Sequence, residues 1–232
     1  MKIGLLLCDD VRSELQKEHK NYPEMFAALL KKQQPDLELV IYRVLDNKLP
    51  AKTDECDGWL ISGSRHGAND DFEWISALED FIRQLHKEGR KLVGICFGHQ
   101  VMAQALGGKV VESDKGWGVG MSENSLLRYK AWMDKGIGEF NLLVSHKDQV
   151  VELPESTEIL AASDFCPYYM LQYGENFMSV QGHPEFSKEY SAALMDSRRD
   201  SIPEKVLNMG MESLIQKPDS DLLGKWIIQF LK

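Results

Sequence analysis

Leu92-Val93-Gly94-Ile95-Cys96-Phe97-Gly98-His99-Gln100-Val101-Met102-Ala103-Gln104-Ala105-Leu106 is the stretch on which the reading of the fold turns. Its short apolar opening predicts a buried strand over Leu92–Ile95, and Gly98–Leu106 predicts a helix closed by Gly107-Gly108. A buried strand feeding directly into a helix is half of a parallel-sheet unit. Upstream the same alternation continues. Phe72, Ile75, Leu78, Phe81, Ile82 and Leu85 fall at helical spacing, which predicts a helix over Phe72–Glu88 with Gly89 as its stop. Strands are expected at Ile3–Cys8, Leu37–Val44 and Gly58–Ser62, a helix at Pro23–Gln33, and a polar loop over Gly63 to Asp71.

Downstream the pattern changes. From Lys109 to Gln181 the runs read as strands joined by short turns, among them Leu142–Ser145, Gln149–Leu153, Ile159–Ser163 and Phe177–Val180. Beyond His183 the chain turns helical, with Ser187 and Ser220 as expected caps and Pro203 in a first turn. The last helix gathers Leu222, Leu223, Trp226, Ile227, Phe230 and Leu231 on one face, so it should dock on the body. The expected fold is α/β: an open, mainly parallel sheet flanked by helices, with a mixed or antiparallel strand-rich extension in the second half. No linker or repeat interrupts it, and residues 1–232 read as a single domain.

Composition excludes some roles. The formal net charge is −9, and a phosphate-binding surface needs the opposite sign, so no nucleic-acid partner is expected. The basic pairs Lys31-Lys32 and Arg198-Arg199 read as solvated helix faces. No apolar run reaches the length of a membrane span and no signal peptide is evident, so neither a membrane nor export is expected. Cys8, Cys56, Cys96 and Cys166 are widely spaced with no CxxC pair, which reads as reduced thiols in a cytoplasmic protein. No convergent ligand cluster suggests a metal, and no cofactor is expected.

Cys96 stands between Gly94 and Gly98 where a strand meets a helix. A Gly-x-nucleophile-x-Gly sequence in that setting forms a tight elbow, whose unusual backbone the flanking glycines are expected to tolerate. The elbow lifts the thiol onto a helix N-terminus, which favours the thiolate. It also leaves the Phe97 N–H free to bind an oxyanion. A thiolate nucleophile needs a base, and a base needs an orienting acceptor. Gln181-Gly182-His183-Pro184-Glu185 supplies both after a strand: His183 and Glu185 are two apart, and Pro184 holds the segment extended so that both side chains leave on one side. His99 is expected to pack beneath the site. His146 is a weaker rival base, with Asp148 as its nearby acid. His19, His66 and His86 have no partner at useful spacing.

Gly94-Ile95-Cys96-Phe97-Gly98-His99-Gln100 together with Val180-Gln181-Gly182-His183-Pro184-Glu185-Phe186 resembles the class I, or triad, glutamine amidotransferases. It is especially similar to the stand-alone, GMP-synthase-like branch that includes the γ-glutamyl peptidases. The resemblance runs from Ile61 to Glu185 and implies a flavodoxin-like sheet. It implies Cys96 as nucleophile, His183 as base and then acid, and Glu185 as orienter. The family's first oxyanion loop matches Ser62-Gly63-Ser64-Arg65, with the Ser64 N–H as donor beside that of Phe97 and Gly63 at the substrate. Arg65 departs from the family's proline; it and His66 are expected to face water rather than a substrate carboxylate. Gln100 matches a side chain that holds the glutamyl moiety, and Trp117-Gly118-Val119, through Gly118, matches the backbone at the substrate's amino-acid end.

The implied reaction is cleavage of a γ-glutamyl amide, in glutamine or a γ-glutamyl peptide, through a thioester on Cys96. Three roles follow: a free-standing hydrolase, a glutaminase subunit that passes ammonia to a separate synthetase partner, or a non-catalytic binding relative. The absence of a P-loop within the chain and its apolar closing helix favour the first.

Overall fold

A computed structural model describes all 232 residues. In chain order the elements are β1 (Lys2–Leu7), α1 (Ser13–His19), α2 (Tyr22–Gln33), β2 (Glu38–Arg43), β3 (Gly58–Ile61), α3 (Glu73–Lys87), β4 (Leu92–Ile95), α4 (Phe97–Ala105) and β5 (Lys109–Glu112). There follow β6 (Gly118–Leu126), β7 (Glu139–His146), β8 (Asp148–Glu152), β9 (Thr157–Ala162), β10 (Met170–Tyr173), β11 (Phe177–Val180), α5 (Lys188–Asp196), α6 (Glu204–Ser213) and α7 (Ser220–Leu231). Nine strands form one sheet in the order β2-β1-β3-β4-β11-β10-β9-β6-β7, and β5 pairs with β8 apart from it.

The sheet has two halves of different character. From β2 to β11 every pairing is parallel; from β11 to β7 every pairing is antiparallel. The strand-rich extension expected from the sequence therefore continues the same sheet. The inner parallel strands β1, β3, β4 and β11 are almost wholly buried because both of their faces are covered, whereas the edge strand β2 is partly exposed along its length. Along β1 and just past it, Ile3, Leu5 and Leu7 enter one core with Phe26, Leu30, Trp226 and Phe230 of α2 and α7. Leu6 and Cys8 enter the other, with Leu78, Ile82 and Val101 of α3 and α4. The closing helix thus docks as expected, burying Leu223, Trp226, Ile227, Phe230 and Leu231.

Three details of the sequence reading change. The sequence pattern does not reveal α1: it buries none of its side chains, so no apolar period marks it. Asp219, not Ser220, stands at the N-cap of α7, and its carboxylate accepts instead from the Asn141 N–H at 2.8 Å. Pro203 sits one residue before α6 as its N-cap. Ser187 does cap α5, accepting from the Tyr190 N–H at 3.1 Å.

What the architecture positions is the carboxyl edge of β3, β4 and β11, three neighbouring parallel strands. Side chains just beyond these ends converge, as ligand-facing groups in open α/β sheets do. Ser62-Gly63-Ser64 follows β3, Cys96 follows β4, and Gln181 to Glu185 follows β11.

Candidate active site

Cys96 lies between β4 and α4 with φ 53° and ψ −100°, a left-handed backbone on a residue with a side chain. Such a conformation costs about 1–3 kcal/mol and persists only where its surroundings enforce it. Here they do. The Cys96 N–H donates to Val180 O at 2.9 Å, and Cys96 O accepts from the Gln100 N–H at 3.1 Å. The flanking glycines act differently from expectation: neither Gly94 nor Gly98 has a positive φ. They permit close packing instead. A Cβ on Gly94 would fall 2.4 Å from Met102 Sδ and 2.6 Å from the Gly98 backbone; one on Gly98 would fall 2.7 Å from Ile61 O. The helix can sit this close to β3 and β4 only without side chains there, and the strain falls on Cys96 itself.

His183 is brought to Cys96 by β11. Its N–H donates to Leu143 O at 2.8 Å, an antiparallel bridge that keeps the residue extended. The ring lies flat on Phe186, with centroids 3.8 Å apart and an interplanar angle of 11°. Nδ1 donates to Glu185 Oε1 at 2.7 Å. That assignment follows from the acceptor and leaves Nε2 for the thiol. The pair is buried, with His183 3 % exposed and the Glu185 side chain 0 %. Glu185 Oε2 is buried without a donor, so the imidazole is the carboxylate's sole side-chain partner. Burial opposes charge on His183, but Cys96 and Glu185 outweigh it and push the imidazole up to about 10.

The loop after β3 lies across this pair. A Cβ on Gly63 would fall 2.8 Å from His183 Cε1 and 3.8 Å from Cys96 Cβ, so the site is open there only because residue 63 is glycine. Arg65 and His66 do not simply face water. Arg65 donates from its backbone N–H and its Nε to Asp9, each at 2.8 Å, and from NH2 to Asp10 O at 2.7 Å. His66 packs edge-on against Phe72 and lies 3.6 Å from Asp70, a partner the spacing argument passed over. The Arg65 and His66 N–H groups are both engaged, the latter by Ser64 Oγ. The Ser64 N–H has no partner within the chain.

Gln100 is 4 % exposed, with its amide nitrogen donating to Asp148 O at 2.8 Å and to Gln181 Oε1 at 3.2 Å. Oε1 is the end left for a ligand. Gly118 faces His146 across the β6–β7 pair, and a Cβ there would meet Phe165 at 2.6 Å and His146 Nε2 at 3.1 Å. His99 is buried with Nδ1 2.8 Å from Ser179 Oγ, and burial lowers it to about 3. His146 Nδ1 meets the Asp148 main-chain oxygen at 3.1 Å rather than its carboxylate, and burial lowers the ring to about 4. Both are neutral at ordinary pH, and neither is paired as a base would be. The three other cysteines are buried, and burial raises Cys8, Cys56 and, to about 12, Cys166.

Two side chains escape the sequence reading. Gln181 Nε2 points at Cys96 Sγ from 3.6 Å, linking thiol, Gln181 and Gln100 in one run of hydrogen bonds. Its place inside the second motif is the signal that could have found it. Arg198, read as half of a solvated pair, turns inward: NH1 donates to Ser145 Oγ at 2.7 Å and the guanidinium lies 5.6 Å over Trp117. Arg199 alone keeps the solvated role, paired with Asp196 at 2.6 Å.

The model of the family described as glutamine amidotransferase class-I matches residues 19–196. The chain belongs to that family. This class-I amidotransferase is 34% identical over 177 residues to γ-glutamyl peptidase 3 of Arabidopsis thaliana, covering 73% of this chain and 68% of that one. It is 34% identical over 116 residues to the glutamine-hydrolyzing GMP synthase of Aquifex aeolicus, covering 47% of this chain and 22% of the other. Its fold matches the crystal structure of a glutamine amidotransferase from Thermotoga maritima with a TM-score of 0.76 at 14% identity, over 100% of this chain and 96% of that one. No helix is long and apolar enough to cross a membrane.

Proposed function

We propose that this amidotransferase is a free-standing hydrolase of γ-glutamyl amides, acting as one domain through a γ-glutamyl thioester on Cys96 and without a cofactor. The observation that carries the reading is His183, buried and held by Glu185 at 2.7 Å with its other nitrogen left for a thiol on the strained turn at Cys96. Cys96 and Glu185 both favour imidazolium on His183, which gives it a proton to pass to the leaving amine. Gln181 and the N-terminus of α4 add favourable dipoles at sulfur.

Cys96 Sγ attacks the γ-carbonyl carbon, forming a C–S bond while the carbonyl π pair moves onto oxygen. The Ser64 and Phe97 N–H groups receive that oxyanion. The oxyanion collapses, the C–N bond breaks, and His183 gives its proton to the departing amine. Water then loses a proton to His183 as its oxygen attacks the thioester, and glutamate leaves as the C–S bond breaks. Gly63 leaves room for the tetrahedral centre, and Gln100 Oε1 and the Gly118 backbone hold the glutamyl group. The test is glutamate release by the purified chain from glutamine, γ-glutamyl dipeptides and glutathione, with Cys96→Ala as blank. Cys96-dependent cleavage of a γ-glutamyl peptide supports the reading; silence of the wild-type chain on every substrate sinks it. The likeness to a glutamine-hydrolyzing GMP synthase supports a second reading, a glutaminase that waits for a synthetase. Activity that rises only when such a partner is added favours that reading instead.

A further inference from the structure

Several contacts restrain the imidazole of His183, and one of them has no part in the reaction as written. Leu143 O holds the backbone N–H, Glu185 holds Nδ1, and glycine at position 63 leaves Cε1 just enough room. The remaining contact is Phe186, whose ring lies flat against the imidazole at 3.8 Å and 11°. The chain builds this stack locally. The Phe186 N–H donates to His183 O at 3.4 Å, which brings the two side chains, three residues apart, face to face. Phe186 is 4 % exposed and is braced by other rings. Tyr190 of α5 stands edge-on to it, with centroids 4.6 Å apart at 89°, and Tyr22 of α2 stacks on it at 6.4 Å and 19°. Buried aromatic rings from separate parts of the chain thus carry one histidine.

Such a platform has two physical effects. A hydrogen bond at Nδ1 fixes one edge of the imidazole and leaves the ring free to tip; a flat neighbour at contact distance opposes tipping and keeps Nε2 directed at the thiol. The second effect is electrostatic. A phenyl face is the negative side of its quadrupole, so it attracts imidazolium more than neutral imidazole. The other ionisable groups around the ring are Cys96 after β4, Glu185 beside it, His146 on β7, Tyr22 on α2 and Tyr190 on α5. Burial keeps His146 and both tyrosines uncharged at ordinary pH, and Arg198 past α5 bears on Tyr190. Charge therefore reaches His183 from Cys96 and Glu185, and Phe186 adds to them from the face of the ring. We infer that Phe186, clamped by Tyr22 and Tyr190, is a positioning residue: it holds the imidazole plane in line with Cys96 and favours the protonated ring that the leaving amine needs. This rests on the role given to His183 in the hydrolase reading and deepens it.

The test reads the titration of His183 by NMR of imidazole-labelled protein in Cys96→Ala, where the neighbouring thiol is gone, with Phe186 intact and with Phe186→Leu or Phe186→Tyr. Phe186→Leu should lower the midpoint by about 0.5–1.5 units, the span of a desolvated cation–π contact, and Phe186→Tyr, which keeps the face, should restore it. An equal midpoint in all three overturns the inference, because a ring that only fills space leaves the acid strength of its neighbour alone. Turnover of the enzyme with Cys96 in place is the second readout. Phe186→Leu should lose about three- to thirtyfold in kcat on a γ-glutamyl dipeptide with KM little changed, and Phe186→Tyr should recover most of it. A loss confined to KM, or one equal in Phe186→Leu and Phe186→Tyr, overturns it. Should Phe186→Leu not fold, Phe186→Met carries the same comparison. A wild-type chain that releases no glutamate defeats the hydrolase reading alone. The midpoint in Cys96→Ala then still decides the role of Phe186: lowered by Phe186→Leu it supports the platform, unmoved it overturns it.

Discussion

Two parallel strands of this molecule end at a cysteine, and the two ends could hardly differ more. Cys8 follows β1 and Cys96 follows β4, strands separated in the sheet by β3 alone. Cys8 is fully buried, its thiol meets Leu6 O at 3.5 Å, and burial drives it far from ionising. The chain after it runs on to the separate helix α1. Cys96 is itself the N-cap of α4, has Gln181 Nε2 at 3.6 Å and lies close enough to His183 to help raise its imidazole. The lesson is that the end of a parallel strand supplies a place but no reactivity. What distinguishes Cys96 is a helix starting at the thiol and an imidazole brought by a strand from the far end of the sequence.

The largest effect expected from that contrast is on turnover. Cys96→Ala should lower glutamate release by about 10⁴-fold or more, whereas Cys8→Ala should leave the rate within a few-fold of wild type. Iodoacetamide should label Cys96 and spare Cys8, read by peptide mass mapping; labelling at Cys8 first would erase the contrast. Next comes Glu185→Gln, which keeps the shape but removes the charge behind His183 and should cost about 10²–10⁴-fold in kcat. It also carries a pH signature. With its folded value raised from 6.5 to about 10, His183 favours the folded state fully below pH 6.5, and that contribution is lost as pH rises through about 10. Glu185→Gln should move the alkaline limb of the rate profile to lower pH, and an unmoved limb would mean that Cys96 alone sets it.

Smaller effects concern the packing that holds the turn. Gly98→Ala forces a Cβ to within 2.7 Å of Ile61 O, a backbone atom that cannot swing aside, and should destabilise by about 1–3 kcal/mol in urea melts. Gly107→Ala meets nothing within 4 Å but has φ +97°, so only the backbone penalty of about 1 kcal/mol applies. The smallest is Arg65→Ala. Its side chain is 48% exposed, so the ion pair with Asp9 should contribute no more than about 1 kcal/mol, visible chiefly as a raised KM if the loop over Gly63 loosens.

Much of this is legible in the sequence, for reasons that particular residues make clear. The strands at Leu92–Ile95 and Phe177–Val180 fall where continuous apolar runs place them, because a strand buried on both faces has no other way to read. Cys96, His183 and Glu185 are legible because a tight turn and an extended His-Pro-Glu segment are local geometries that short sequences encode. The glycines at 94 and 98 read as conformational and prove steric, since their constraint lies in Ile61 and Met102, which only the folded helix brings near. Arg198 is illegible for the same reason: its partners Ser145 and Trp117 lie on β7 and just before β6, and nothing around residue 198 announces them.

One feature of the sheet bears on how the protein is made. β4 sits between β3 and β11, so the strand that carries the thiol is completed by one encoded far later. A ribosome adding roughly 5–20 residues per second needs several seconds to pass from Cys96 to His183. Through that interval the nascent chain holds a thiol with no imidazole beside it and an open slot beside β4. On the proposed mechanism the thiol therefore has no base until β11 docks, and a chain that stalls before then exposes an unpaired sheet edge.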